Sequence, residues 1–276
     1  MLRKDNIMQK KKISLHLLFS VFFCIPFVIS FTSIFAVFAV FAVSKAEAQP
    51  RGAAPVLSFG TGAVWSTSTY QGADNNVIAI PLIMFSGEQF FIRGTGAGMH
   101  IYKDERLSVD LLGKYRFEAY EEGDSPSLVG IKDRNGTVEA GLAAQWRLEQ
   151  AVLSCQFFTD LLNEHGGQEI NLRIKKPFRW RMLFVAPYLG VSLHSDSFSN
   201  YYYGVDASEA ITGRPEYDLG WTANWQAGMA LRVGLTQQIM LNTLFGLEIL
   251  DQEIADSPIV DQDMRFFGMV GIAFGF

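Results

Sequence analysis

The sequence predicts an all-β protein, an antiparallel transmembrane β-barrel of the bacterial outer membrane with about 12 strands, or alternatively 10. Three observations predict this fold. A basic and then apolar export segment opens the chain, most of the rest alternates apolar with polar residues, and the connections are alternately short and long. Alternation with a period of two is the pattern of strands. Short turns at one end and longer loops at the other are typical of outer-membrane barrels.

Residues 1–48 have the composition of a signal peptide. A cluster of Lys and Arg precedes a long uncharged segment, and Ala46-Glu47-Ala48 forms an A-x-A cleavage site before Gln49. Cleavage is therefore predicted between Ala48 and Gln49, which leaves residues 49–276 as a single barrel domain. An uncleaved membrane anchor is the alternative, because the apolar run is longer than in a usual signal peptide.

The composition of the chain fits a barrel, and its net charge argues against some partners. Of 276 residues, 49% are apolar and 18% are charged, which is a low charge content for a soluble domain. Removing six Lys/Arg and two Asp/Glu with residues 1–48 leaves 17 basic and 26 acidic side chains, a net charge of −9. This charge argues against nucleic acid as a partner. Cys155 is then the one cysteine left, so no internal disulfide is expected.

The stretch Arg106–Tyr120 gives the clearest strand. One set of alternate residues is apolar, whereas the other includes Asp110, Lys114, Arg116 and Glu118. Because successive side chains of a strand point to opposite faces, one face is apolar and the other is mostly charged. In a membrane barrel the apolar face meets lipid and the charged face lines the lumen. In a soluble barrel or sandwich the apolar face would be buried instead.

Ten further stretches complete the set of candidate strands. Pro81 makes the second stretch an edge or a bulged strand, and Gly94, Gly96 and Gly98 permit a sharp bend in the third. Splitting the third stretch gives twelve strands, which we favour, and merging it with the second across Ser86-Gly87 gives ten. The stretches are Val56–Thr67, Val77–Phe85, Phe90–Tyr102, Gly136–Leu148, Ala151–Leu162, Gln168–Phe178, Arg181–Ser195, Asp218–Val233, Gln238–Leu250 and Met264–Phe276.

The connections fall into two classes by length, and no long stretch keeps a helical period. Short turns are predicted at Glu149-Gln150, Arg179-Trp180 and Gly234–Gln237. Long loops are predicted at Glu121–Asn135, Asp196–Tyr217 and Asp251–Asp263.

Two groups of residues are candidate functional positions. Phe274 and Phe276 end the last strand, as in the signal that the outer-membrane assembly machinery reads. Charges at alternate positions are candidates to face the lumen, where they could pair and fill it or could line a narrow solute channel. These charges are Asp110, Lys114, Arg116, Glu118, Glu139, Arg173 and Glu248.

The residues do not indicate an enzyme, and we predict no catalytic, cofactor-binding or metal-binding residues. In His194-Ser195-Asp196 the serine points away from its neighbours, so adjacency does not make a catalytic triad. The acidic loop Asp251–Asp263 lacks EF-hand spacing and reads as a solvated loop. His165 reads as a loop residue. Tyr201–Tyr203 is expected to pack the long loop onto the barrel rim, with stacking on a sugar or partner as the alternative.

Several motifs resemble the MipA/OmpV family of outer-membrane proteins, and the resemblance runs through nearly all of residues 56–276. The motifs are Tyr70-x-Gly72-x-Asp74, Phe90-Phe91-Ile92-Arg93-Gly94, Asp133-Arg134-Asn135-Gly136-Thr137, Gly166-Gly167-Gln168-Glu169, Tyr201-Tyr202-Tyr203-Gly204-Val205, Gly213-Arg214-Pro215-x-Tyr217 and Ile254-Ala255-Asp256-Ser257-Pro258-Ile259-Val260, the last preceded by Asp251.

The resemblance implies a non-enzymatic barrel that tethers periplasmic murein enzymes, namely a lytic transglycosylase and a bifunctional penicillin-binding protein. It supplies no catalytic residues. The partners expected are therefore outer-membrane lipid, the assembly machinery and these two enzymes. A narrow channel for small solutes is the alternative function, and an outer-membrane lipid hydrolase is a distant third.

Overall fold

The computed structural model describes residues 57–117 and 120–276, and within them the chain forms one antiparallel sheet of 13 strand segments. The predicted cleavage residues Ala48 and Gln49 and the predicted lumen residue Glu118 lie outside this part of the chain. The segments are β1 (Leu57–Ser66), β2 (Asn76–Ser86), β3 (Phe90–Arg93), β4 (Gly96–Lys103), β5 (Leu107–Arg116), β6 (Thr137–Arg147), β7 (Val152–Asp160), β8 (Gln168–Lys175), β9 (Phe178–Trp180), β10 (Leu183–His194), β11 (Thr222–Gly234), β12 (Ile239–Ile249) and β13 (Met264–Gly275).

The sheet closes on itself. Each segment from β1 to β8 pairs with the next, the segments from β10 to β13 do the same, and β13 pairs with β1. Segments β8 and β9 both pair with β10, one after the other, so together they fill one position in the wall. The wall therefore has twelve positions, and the prediction of a twelve-stranded antiparallel barrel is confirmed.

The wall has apolar side chains outside and polar ones inside. On β5, Leu111 and Tyr115 are exposed, whereas the alternate residues Ser108, Asp110 and Arg116 are buried. The exposed apolar face meets lipid. A charged side chain inside the barrel can pair with another charge, whereas one on the outer face would lie in lipid without a partner. The alternation of this strand thus places its apolar face on the outside of the barrel.

The two ends of the barrel differ, as the connection lengths predicted. At the turn end, adjacent strands join through short turns and the chain reaches Phe276. At the loop end lie the long connections, which contain helices α1 (Asp196–Tyr203) and α2 (Gln252–Ala255) and two single 3₁₀ turns. In outer-membrane barrels the short turns face the periplasm. No helix in the described residues is long and apolar enough to cross a membrane.

Two local expectations are corrected. The turn expected at Arg179-Trp180 lies two residues later, at Arg181-Met182, because both residues of the expected turn pair with β10. Arg181 takes a left-handed conformation there, with φ of 53°. The long loop after His194 contains a helix. Ser195 caps it by accepting a hydrogen bond from the Phe198 backbone N–H.

The third predicted stretch divides into two strands. Gly94, with φ of 64°, turns the chain after only four residues of β3. This conformation favours glycine because a side chain would clash with the backbone. The hairpin of β3 and β4 is therefore short, and within residues 57–117 and 120–276 it leaves part of β2 with a neighbouring strand on one side only.

Candidate functional site

The loops at the loop end pack together into a cap with its own apolar core. Residues from three connections form this core, Tyr70 of the β1–β2 connection packs against it, and several of the core residues are completely buried. Packing these apolar side chains against one another removes their surface from water, and this burial is what stabilises the cap. The core residues are Tyr120, Leu128, Ile131, Phe198, Tyr202, Tyr203, Val205, Leu219, Leu250, Ile254, Ile259 and Val260.

A buried ion pair fixes two of these loops to each other. Arg134 donates to Glu209, with 3.3 Å between Nη2 and Oε2, and its Nε donates to the Tyr201 carbonyl at 2.6 Å. Burial opposes ionisation of Glu209, but hydrogen bonds from the Lys132 and Asp206 backbone N–H groups and the charge of Arg134 hold its pKa below the usual value. Burial raises the pKa of nearby Tyr120 to about 12, against the opposing charge of Arg134.

Beneath the cap, four charged side chains meet inside the barrel. Arg116 Nε lies 2.8 Å from Glu139 Oε1, and Arg116 Nη2 also contacts Glu169. Lys114 Nζ lies 3.1 Å from Glu139 and 2.9 Å from Glu169. We call these four residues the charge cluster. Two cations thus face two carboxylates, and the net formal charge is zero, which reduces the cost of burying each group.

Two histidines extend the charge cluster toward the cap. His165 Nδ1 accepts a hydrogen bond from the Gly167 backbone N–H at 3.0 Å, so in the neutral ring the proton sits on Nε2. His165 Nε2 then donates to Glu139 at 3.2 Å. His194 lies 3.6 Å from Glu169 and stacks on Phe198 of helix α1. The barrel wall and the cap are therefore joined through these two rings.

A second polar network crosses the inner wall on the strands β8 to β13. Arg265 binds Glu248, with Nη2 to Oε2 at 2.6 Å, and Gln226 donates to the same carboxylate at 3.0 Å. Gln226 also accepts from Arg173 Nη2 at 3.0 Å. Opposite charges and amides thus pair with one another along this part of the inner wall. Asp110 has a different partner, since His100 Nδ1 lies 2.6 Å from it.

Six of the seven predicted lumen charges lie in the described part of the chain, and they divide among three places. Lys114, Arg116 and Glu139 join the charge cluster, Arg173 and Glu248 join the second network, and Asp110 stands apart with His100. Phe276 is exposed and stacks on Phe59 at 4.8 Å between centroids, and Phe274 is also exposed on the outer face.

Residues outside the predicted set complete the site. Glu169 had a usable signal, because it lies in phase with Asn171 and Arg173 on the same strand. His165 was interpreted as a loop residue and gave no such signal, since only folding brings it to Glu139. Ser195 and Asp251 serve as helix caps in the structure. In the described residues no cluster of His, Cys, Asp or Glu has the geometry of a metal site.

Comparison with known proteins identifies the family. Residues 59–276 match the family described as MltA-interacting protein MipA. The chain belongs to this family. It is 26% identical to the putative outer membrane protein YiaT of Escherichia coli (strain K12) over 225 residues, which cover 80% of this chain and 91% of the relative.

Two other relatives of the family match over a similar length. Outer membrane protein OmpV of Vibrio cholerae is 27% identical over 78% of this chain and 84% of its own length. The MltA-interacting protein of Escherichia coli (strain K12) is 25% identical over 80% of this chain and 90% of its own length. With the barrel fold, these relatives place this MipA-family protein in the bacterial outer membrane.

Proposed function

We propose that this MipA-family barrel is a non-enzymatic scaffold that holds a murein-cleaving lytic transglycosylase, together with a penicillin-binding protein, at its periplasmic turn end. The observation that carries the proposal is the packed cap at the other end. Leu128, Ile254 and Ile259 have no exposed surface at the loop end. A barrel whose outer mouth is filled by an apolar core is better suited to structural work than to free passage of hydrophilic solutes.

The name of one relative supports the choice of partner. A protein named for its interaction with MltA aligns with this chain over 90% of its own length. The turn between β9 and β10 is a suitable docking element. Arg179, Trp180, Arg181 and Met182 are all exposed there, and Lys176 lies a few residues before them. Exposed Trp and Arg side chains are common at the centres of protein interfaces.

The direct test is a pull-down from detergent-solubilised envelopes with this barrel as bait, read by mass spectrometry. We expect enrichment of a lytic transglycosylase and a penicillin-binding protein. Reversing two charges at the turn end, with Arg179→Glu and Arg181→Glu, should reduce their recovery. The matched control is Lys132→Glu at the loop end, where an exposed pair with Asp206 contributes little to stability.

The outcome separates this proposal from the other candidate functions. If the barrel remains folded and neither enzyme is recovered, the scaffold proposal is wrong. If both enzymes are recovered equally well with the Arg179→Glu, Arg181→Glu variant, the scaffold remains but its docking site lies at another turn.

A further inference from the structure

The barrel wall has a lateral gap in its loop-end half, between β2 and β5. Segment β3 pairs with β2 only at Met84–Ser86, and the last hydrogen bond between the hairpin and β2 runs from Gly94 N–H to the Ile83 carbonyl at 3.0 Å. Beyond that point, Asn76–Leu82 pairs with β1 alone among the residues that the structure describes. Seven residues of strand rise about 20 Å. The gap is therefore long enough to span a large part of one leaflet.

The hydrogen bonds of β2 show which of its backbone N–H and C=O groups point into the gap. The Ile83 carbonyl bonds toward β3, and in an antiparallel strand every second residue directs its backbone polar groups to the same side. Val77, Ala79 and Pro81 therefore direct theirs into the gap. Pro81 has no N–H, so this edge has one donor fewer to offer to another strand. Proline at this position is typical of a strand edge that is left open.

Behind the gap lies a cavity of about 580 Å³. Residues of β2 and β5 line it, including Ile78 and Tyr115, which lie beyond the last pairings of the β3–β4 hairpin with these two strands. Tyr120, Tyr203 and Phe267 add aromatic surface. The cations that reach it are compensated, since Lys114 and Arg116 bind Glu139 and Glu169 and Arg265 binds Glu248. The cavity is therefore aromatic and polar but has no excess cation for an anionic ligand.

At the loop end of this cavity, two connections of the cap are bonded to each other. Ser127 Oγ donates to the Gln71 carbonyl at 2.7 Å, and Ser125 Oγ donates to the same carbonyl. Tyr70 packs edge-on against Tyr120, with 4.6 Å between ring centroids. The β1–β2 and β5–β6 connections are thus joined to each other above the gap.

The rim of the gap is apolar and faces the membrane. Val77 is 72% exposed, and Tyr115 and Phe117 are exposed on the other side. Ile78 points into the barrel by the alternation of β2 and is nevertheless 36% exposed. Backbone polar groups at an open edge are unfavourable in lipid unless they line a cavity or meet a ligand. An apolar molecule that enters from the bilayer would meet this rim first.

We propose that the cavity is a binding site for a lipophilic molecule, with an apolar body and one hydrogen-bonding end, that enters laterally from the outer leaflet. The apolar body would occupy the aromatic part of the cavity, and the polar end would reach the charge cluster. The proposal does not depend on the scaffold function.

Photo-crosslinking tests the site directly. The protein, purified from outer membranes and reconstituted in phosphatidylcholine vesicles, is irradiated with either a phosphatidylcholine that carries a diazirine in one acyl chain or a small aryl diazirine. Mass spectrometry then locates the adducts. We expect adducts on the cavity residues Ile78, Tyr120 and Phe267 in addition to the lipid-facing side chains. Labelling by the phospholipid identifies a bilayer lipid as occupant, and labelling by the aryl probe alone identifies a small lipophilic solute.

A pair of variants at adjacent positions provides the control. Ile78→Trp adds an indole inside the cavity and should abolish labelling of Tyr120 and Phe267. Val77→Trp adds the same group on the lipid side and should leave that labelling unchanged. If Ile78→Trp does not fold, Ile78→Phe serves instead. Adducts confined to lipid-facing residues with both probes in the unmodified protein, or full cavity labelling in the folded Ile78 variant, would overturn the proposal.

Discussion

Arg116 and Glu139 form a buried ion pair that holds β5 and β6 together beneath the cap. Arg116 Nε lies 2.8 Å from Glu139 Oε1, and Nη2 lies 3.2 Å from Oε2. A guanidinium that contacts both oxygens of a carboxylate makes the geometry specific as well as favourable. The pair also explains why a wall of mostly apolar strands carries full charges at these two positions, because each charge is satisfied inside the barrel.

We expect Glu139→Gln to destabilise the barrel by about 3 kcal/mol, because it leaves Arg116 and Lys114 with one carboxylate fewer in a buried site. Equilibrium unfolding in guanidinium, followed by tryptophan fluorescence in phospholipid vesicles, would measure the change. Glu149→Gln, at an exposed turn, is the matched control and should be nearly neutral. A loss as small as that of the control would mean that the ion pair contributes little net stability.

Ion conductance, measured with and without a change in these charges, distinguishes a closed lumen from a narrow channel. In planar bilayers we expect no ion conductance from the unmodified protein, because the cap core is packed and the inner charges bind each other. Arg116→Glu should also give none. Conductance steps in the unmodified protein, with an ion selectivity that shifts in Arg116→Glu, would contradict this expectation and support a channel for small solutes.

The barrel itself was predictable because its signal is periodic. The alternation around Asp110 and Arg116 specifies which face meets lipid, and Pro81 and the glycines after β3 indicated the irregular place in the wall. The position of a turn was not predictable in the same way, because alternation does not mark where a strand ends, and Trp180 still pairs with β10.

The candidate site was only partly predictable, because its geometry depends on contacts between distant residues. Alternation places Lys114 and Arg116 on one face, but it cannot show that the loop residue His165 returns to Glu139, or that helix α1 lies above them. The gap beside β2 is likewise a consequence of hairpin length. Gly94 could have been a bend within one long strand, and only the pairing of β3 shows that it is a turn.

Acid should loosen the cap through Glu209. Its pKa is lowered in the folded protein, so its contribution to stability is fully present above the ordinary glutamate pKa and is lost as the pH falls through the folded value. We therefore expect the near-ultraviolet circular dichroism of the cap tyrosines to weaken below about pH 4. In Glu209→Gln this part of the pH dependence should disappear. A transition that is unchanged in Glu209→Gln would assign the acid sensitivity to another carboxylate.

The open edge of β2 gives a prediction about Pro81. Because its backbone nitrogen faces the gap and not β1, Pro81→Val restores a donor to the edge without adding a hydrogen bond inside the barrel. We expect the unfolding midpoint to stay nearly constant, and we expect chemically cross-linked dimers to increase, since two such edges could pair with each other. Gel electrophoresis of unheated samples after cross-linking measures the dimer.

The alternative orientation of the same strand makes the opposite prediction. If the nitrogen of residue 81 faced β1, valine would add a hydrogen bond worth about 1 kcal/mol and would leave the protein monomeric. Stabilisation without dimers would therefore show that the residue 81 nitrogen faces β1 and not the gap. Dimers without stabilisation would fit the phase set by Ile83 and Gly94, where the hairpin hydrogen bond ends and the unpaired part of β2 begins.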